Sequence, residues 1–270
     1  MATTKKKPPA QRASSGPRSL WNGTIAVGLL TVPVKLHTAT ESKTVHFHEV
    51  HEQDGARIEH RRFCSEEEKE VDYDEVVKGY EISKDTFVVL DDDEVKAAAG
   101  DRTHVIDVQE TVEADAIDPV FYDHTYHLGA GEDGGPAYRV LHDALAQTGR
   151  VALGRFTFHD RERLAAIRAA EKGLLVLHVM RFADTLVPPS QIEVKEPAKP
   201  PTKREVEMAR KLVDTLHEPF KASRYRDEYR EAVLEMIERK AEGEEITPPE
   251  PPQREDSDDL MAALEASLKR

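Results

Sequence analysis

The sequence predicts a mixed, mainly β fold: an antiparallel β-barrel core followed by C-terminal α-helices, with flexible tails at both ends. Three observations carry this expectation. Between about residues 18 and 195 the chain holds short runs of β-branched and aliphatic residues with mostly short connections, the pattern of an antiparallel barrel or sandwich rather than a doubly wound sheet. After that stretch the apolar spacing changes to the helical period. Finally, 33% of the 270 residues are charged and only 39% are hydrophobic, so part of the chain lies outside any core.

Taken in order, residues 1–17 carry Lys5, Lys6, Lys7 and Arg12 among Pro, Ser and Gly, the composition of a disordered basic arm. The core, 18–195, has strand candidates at 24–30, 32–37, 44–50, 86–90, 103–112, 121–128, 151–158 and 174–179. Pro33 marks an edge or a bend, because proline cannot donate to a sheet ladder. Two helices interrupt the strands. Asp91 to Glu94 precede 95–99 in a capping arrangement, in which an Asp accepts from the amide three residues on. Pro136 sits in the first turn of 137–147, which Gly149 closes. A Pro-rich linker, 196–202, leads to a helical region, 203–240. Its first helix puts Val206, Ala209, Val213 and Leu216 on one face, and its second, about 224–240, repeats the pattern with Tyr225, Tyr229, Val233, Met236 and Ile237. Each such face must dock on something. An acidic, Pro-containing tail, 241–270, ends in a short amphipathic motif.

Composition narrows the function. A net charge of −14 argues against a general nucleic-acid coat, though not against basic residues gathered on one surface. A single cysteine, Cys64, leaves no internal disulfide framework and suits a reducing cytoplasm. No run reaches the roughly 18 apolar residues of a membrane span, and 1–18 lacks an apolar signal core, so neither a membrane nor export is expected.

The motifs offer little to an enzyme. Gly129, Gly131 and Gly134 form GxGxxG between a strand and a helix candidate, the dinucleotide-binding order, and a nucleotide-cofactor enzyme built on 129–134 is the alternative function. Glu132 and Asp133 oppose it, since a pyrophosphate needs amides and no negative charge there. His46, His48 and His51, with His60 and Cys64 downstream, have too few thiolates for a closed zinc site, and no metal is expected. The acidic run 91–94 is helix capping rather than a nuclease centre. The positive signal is basic. One cluster holds Arg57, His60, Arg61 and Arg62; another, within 150–181, holds Arg150, Arg155, Arg161, Arg163, Arg168, Lys172 and Arg181 against Asp160, Glu162 and Glu171. Arginine forks suit phosphate. Without a helix-turn-helix or zinc finger, any DNA contact should follow backbone and shape.

The segment RSLWNGTIAVGLLTVPVKLHTATES, from Arg18, resembles the start of bacterial Ku, the DNA-end-binding protein of non-homologous end joining. Further segments are similar in the same order: Phe47-His48-x-Val50-His51, Asp54-Gly55-x-Arg57-Ile58, the VKGYE string from Val77, Asp118-Pro119-x-x-Tyr122-Asp123, Ala137-Tyr138-x-x-Leu141 and Arg161-x-Arg163-Leu164. The resemblance implies a homodimer whose barrels carry arms that close into a ring around duplex DNA. The arm should arise from about 56–89. The candidates for DNA contact are then Lys35, Arg57, Arg61, Arg62, Lys78, Lys84, Arg155, Arg161 and Arg163. It also implies recruitment of an ATP-dependent ligase, ligase D, by the C-terminal helices, with Leu212, Leu216, Tyr225, Tyr229, Val233 and Ile237 as contact candidates. It implies no catalysis and no cofactor, and a place with the nucleoid in the cytoplasm. The chain departs from many bacterial members in its acidic rather than lysine-rich tail, and from some in having one cysteine near position 64.

Overall fold

The computed structural model describes residues 18–98, 104–196 and 199–244, together with Leu264 and Ser267. The basic arm and almost all of the acidic tail lie outside the described residues. Two compact units form, Met1–Ser42 with Glu59–Val187, and Lys43–Ile58 with Pro188–Arg270.

In the first unit the strands are β1 (Trp21–Val27), β2 (Leu30–Thr38), β3 (Phe63–Cys64), β4 (Lys69–Glu70), β5 (Lys78–Ser83) and β6 (Thr86–Leu90), then helix α1 (Asp92–Ala98), β7 (Val105–Glu113), β8 (Tyr122–Ala130), helix α2 (Gly135–Thr148), β9 (Arg150–Phe158), β10 (Arg161–Ala169) and β11 (Leu175–Met180). A closed barrel runs β1-β2-β8-β11-β10-β9-β7. Every neighbouring pair is antiparallel except β1 with β7, whose parallel pairing closes the ring of strands. Alternation sends Ile25, Val32, Val34, Leu36, Ile106, Leu128, Phe156, Ile167, Leu175 and Leu177 into one core, to which α2 adds Tyr138, Leu141 and Leu145. Residues of the opposite parity on β9 and β10 are also covered: Val151 and Ala166, with Leu153 and Leu164, pack with Met180, Ile117 and Phe121 in a second cluster on the outer wall.

The helix signals hold. Asp91 Oδ1 accepts from the amides of Asp93 and Glu94, while Glu94 Oε2 accepts from the Asp91 amide, so the acidic run is a reciprocal cap. Gly149 ends α2 in the left-handed conformation at φ 67°.

Two expectations change, at 44–50 and at β10, and two hairpins leave the barrel. Residues 44–50 are not a strand; they keep a single bridge, Val50 to Arg57, around a turn in which Gly55 takes φ 68°. The strand at 86–90 forms, but it pairs with β5 in a two-stranded hairpin outside the barrel. The paired short strands β3 and β4 also stand apart from the barrel sheet. Strand β10 belongs to the barrel, although the sequence suggested only a basic stretch there.

In the second unit, helix α3 (Lys203–Thr215) starts at a capping box between Thr202 and Glu205, and α4 (Glu228–Ala241) starts at Asp227, whose carboxylate accepts from the Arg230 amide. No helix among the described residues is long and apolar enough to cross a membrane.

Candidate nucleic-acid interface

The opening motif is core. Trp21 is buried against Phe156, ring centroids 5.9 Å apart and edge to face. Its indole folds back over Gly23, where an added Cβ would lie 2.1 Å from the ring and 2.3 Å from the His104 carbonyl oxygen. The spacing W-x-G is therefore a packing requirement. The GxGxxG loop is explained in the same way. The Gly131 amide donates to the Pro33 carbonyl at 2.8 Å, and a Cβ on Gly131 or Gly134 would lie within 2.8 Å of the Pro33 backbone. Strand β8, which precedes the loop, is antiparallel to both β2 and β11, so no parallel βαβ unit exists to hold a dinucleotide. That topology removes the support for a nucleotide-cofactor enzyme at 129–134.

The basic candidates fall into separate groups. In β2, Lys35 pairs with Glu132 of the glycine loop at 3.2 Å. On the β9–β10 hairpin, register sets Arg155 opposite Leu164, Arg161 opposite Phe158 and Arg163 opposite Phe156. Arg161 and Arg163 thus share the parity of the barrel interior at one end of the hairpin, while Arg155 lies on the outer wall. The sequence cluster is thereby split between two faces. Arg155 donates to Glu162 at 2.9 Å and lies over the Phe182 ring. Arg163 is half-buried near Tyr126, whose pKa burial raises and Arg163 draws back.

The arm candidates sit on the hairpins that leave the barrel. Arg61 bridges Glu70 at 3.0 Å and Glu59 at 3.9 Å. Arg62 stacks over Tyr73, its guanidinium carbon 4.7 Å from the ring centroid. Lys78 begins β5, and Lys84 occupies the β5–β6 turn beside Asp85 at φ 60°. Arg57 belongs to the second unit, in the loop where His51 and the Ala56 amide both bond to Asp54; those bonds, the amide's first, hold the Asp54 pKa down. Among the described residues no carboxylate pairs with Arg57, Arg62, Lys84, Arg161 or Arg163, whereas Lys35, Arg61 and Arg155 are paired. Such exposed pairs are worth about 0–1 kcal/mol each and yield readily to a phosphate.

The hairpin of β5 and β6 carries a feature that strand patterning concealed. All its residues are exposed, yet Tyr80, Val88 and Leu90 lie on one face and Phe87 and Val89 on the other. An isolated two-stranded hairpin with apolar residues on both faces is marginal in water and calls for covering surface. The signal was present in VKGYE followed by FVVL, which lacks the alternation of a half-solvated strand.

On the C-terminal helices, α3 half-buries Met208, Ala209 and Leu212 and leaves Val206, Val213 and Leu216 exposed. The predicted face is therefore split, the half-buried stripe being rotated toward residues 208 and 212. Tyr225 precedes α4 and stacks on Phe220 at 5.8 Å. Tyr225, Tyr229 and Ile237 are exposed, and Val233 is half-buried. Among the described residues no group of three or more His, Cys, Asp or Glu converges as a metal site would require.

Comparison with known proteins agrees with this architecture. The family model described as "Ku70/Ku80 beta-barrel domain" matches residues 26–208. The chain is 43% identical over 258 residues to the "Non-homologous end joining protein Ku" of Anaeromyxobacter sp. (strain K), covering 94% of this chain and 87% of that protein. It is 37% identical to the protein of the same name from Solibacter usitatus (strain Ellin6076), over 93% of this chain and 92% of the relative. To that from Bacillus subtilis (strain 168) it is 32% identical, over 93% and 82%. The barrel that the strands close is the domain the family model describes, and the likeness extends over most of the chain: this protein belongs to the Ku family.

Proposed function

We propose that this protein binds the ends of double-stranded DNA in non-homologous end joining, as a homodimer whose arms close a ring around the duplex, and that it recruits and stimulates ligase D. It performs no chemistry itself. The relatives named as end-joining proteins support the DNA-end reading. The observation that carries the ring is the β5–β6 hairpin, apolar on both faces and joined to no barrel strand. A second copy of the same arm would cover it symmetrically. The exposed apolar residues Leu216, Tyr225, Tyr229 and Ile237 support a ligase-docking role for the helical region. Contacts to phosphate by Arg57, by Arg61, Arg62, Lys78 and Lys84 on the arm, and by Lys35, Arg155, Arg161 and Arg163 on the barrel, give binding without sequence preference.

A gel-shift comparison tests the ring. Linear duplexes of unrelated sequence should bind alike, and covalently closed circles of the same length should compete poorly. Equal affinity for circles and linear DNA would rule out threading from an end.

A further inference from the structure

A groove of about 800 Å³ runs along the outer wall of the barrel, lined by residues of β8, α2, β10, β11 and the β10–β11 turn. None of the nine DNA-contact candidates lines it, although Arg168 and Lys172 belong to the basic cluster of 150–181. Its size falls in the range of small-ligand sites, roughly 300–1,000 Å³. Val176 and Leu174 are apolar lining; Arg168, Lys172, His127 and Thr125 supply donors, and Glu171 lines it with them.

Two features make it more than a solvated wall. The first is a clamp behind Arg168. Its Nε donates to His178 Nε2 at 2.9 Å, which leaves the His178 proton on Nδ1, 2.9 Å from Thr125 Oγ1. Burial first, then the Arg168 charge, hold the His178 pKa below its ordinary value and keep the ring neutral for this role. The guanidinium is thus held from one side, and among the described residues its terminal nitrogens have no partner. Among the described residues no carboxylate pairs with Arg168 or Lys172, whereas Arg139, Arg150, Arg155 and Arg181 each have one. The second feature is backbone strain. Lys172 is left-handed at φ 59°, followed by Gly173 at φ 76°, a turn position that Asn, Asp or Gly fills at lower cost. The lysine that occupies this turn lines the groove.

We propose that this groove binds the phosphate of a nucleotide unit, gripped by Arg168 and Lys172 with Thr125 and His127 as supporting donors. Two cations against Glu171 match a phosphate of low charge rather than a polyphosphate. The phosphate comes either from a free mononucleotide or from a nucleic-acid strand lying on the barrel wall. The site stands independently of the ring.

The test is calorimetric titration of the full chain with inorganic phosphate, adenosine monophosphate and a short oligothymidylate. Native protein is compared with the double variant Arg168→Gln, Lys172→Gln and with Lys172→Asn. The expected result is binding of the nucleotide or the strand, weakened about tenfold or more in the double variant, the factor a lost charge-assisted hydrogen bond carries. Binding of both ligands assigns a free nucleotide site, and binding of the strand alone assigns a backbone site; either supports the proposal. Lys172→Asn relieves the turn, so it should raise the unfolding midpoint while weakening binding severalfold. No binding, binding of inorganic phosphate alone, binding unchanged in the double variant, or native affinity in Lys172→Asn each overturns it.

Discussion

Tyr138 shows how one side chain can join three elements. From α2 its hydroxyl donates to the Leu128 carbonyl of β8 at 2.5 Å and accepts from the Leu175 amide of β11 at 2.7 Å. Burial raises its pKa, so the hydroxyl stays protonated and able to donate. Removing the oxygen leaves a buried carbonyl and a buried amide unpaired at nearly unchanged volume. Tyr138→Phe should therefore lower stability by roughly 1–3 kcal/mol for each orphaned group. A urea titration would show this as a reduced midpoint with an unchanged slope; an unchanged midpoint would mean that water replaces the hydroxyl. Residues of this kind were partly legible in the sequence. Trp21-x-Gly23 and Ala137-Tyr138 stood out as words, but their physical reasons, an indole over a glycine and a hydroxyl bridging two strands, require partners far along the chain.

At the scale of elements, legibility followed the locality of the signal. The caps at Asp91–Glu94 and Gly149 are written within a few residues, and they form as expected. Strand β10 was missed because RLAAIRA is apolar on both faces: Ala165 and Ile167 face the core, while Leu164 and Ala166 face the outer cluster, so period-two alternation vanishes. The error at 44–50 was the converse, a run with strand composition but no neighbouring strand to pair with. On α3 the period names the apolar positions without saying which are sheltered: Ala209 is half-buried, while Val206, Val213 and Leu216 are exposed. The helical region is where ligase docking is proposed. Removing residues 203–240 takes away Leu212, Leu216, Tyr225, Tyr229, Val233 and Ile237 and none of the barrel strands. Binding to linear duplex should persist while stimulation of ligase D is lost, measured by end joining of a linear plasmid. Stimulation that survives would place the ligase surface elsewhere.

The whole molecule must reconcile a net charge of −14 with a polyanionic partner. An open DNA-binding surface holds its ligand by the number of phosphates it neutralises, and overall negative charge opposes that. A ring needs fewer such contacts, because dissociation requires sliding to an end, and the acidic residues can lie on surfaces that never meet DNA. This division predicts that the salt dependence is carried by the candidate basic residues alone and can be dissected by replacing them. Replacing Arg57, Arg61 and Arg62 by Ala removes six cations from the proposed homodimer. If every one neutralises a phosphate, the slope of log affinity against log salt falls by about 5, at about 0.9 per contact. Arg61 is already engaged with Glu59 and Glu70 and Arg62 with Tyr73, so a smaller loss, about 2–4, is expected. Filter binding to linear duplex across a salt series measures it. A slope identical to the native one would move the DNA path away from these arginines and onto the barrel end, where Arg161 and Arg163 have no carboxylate partners among the described residues.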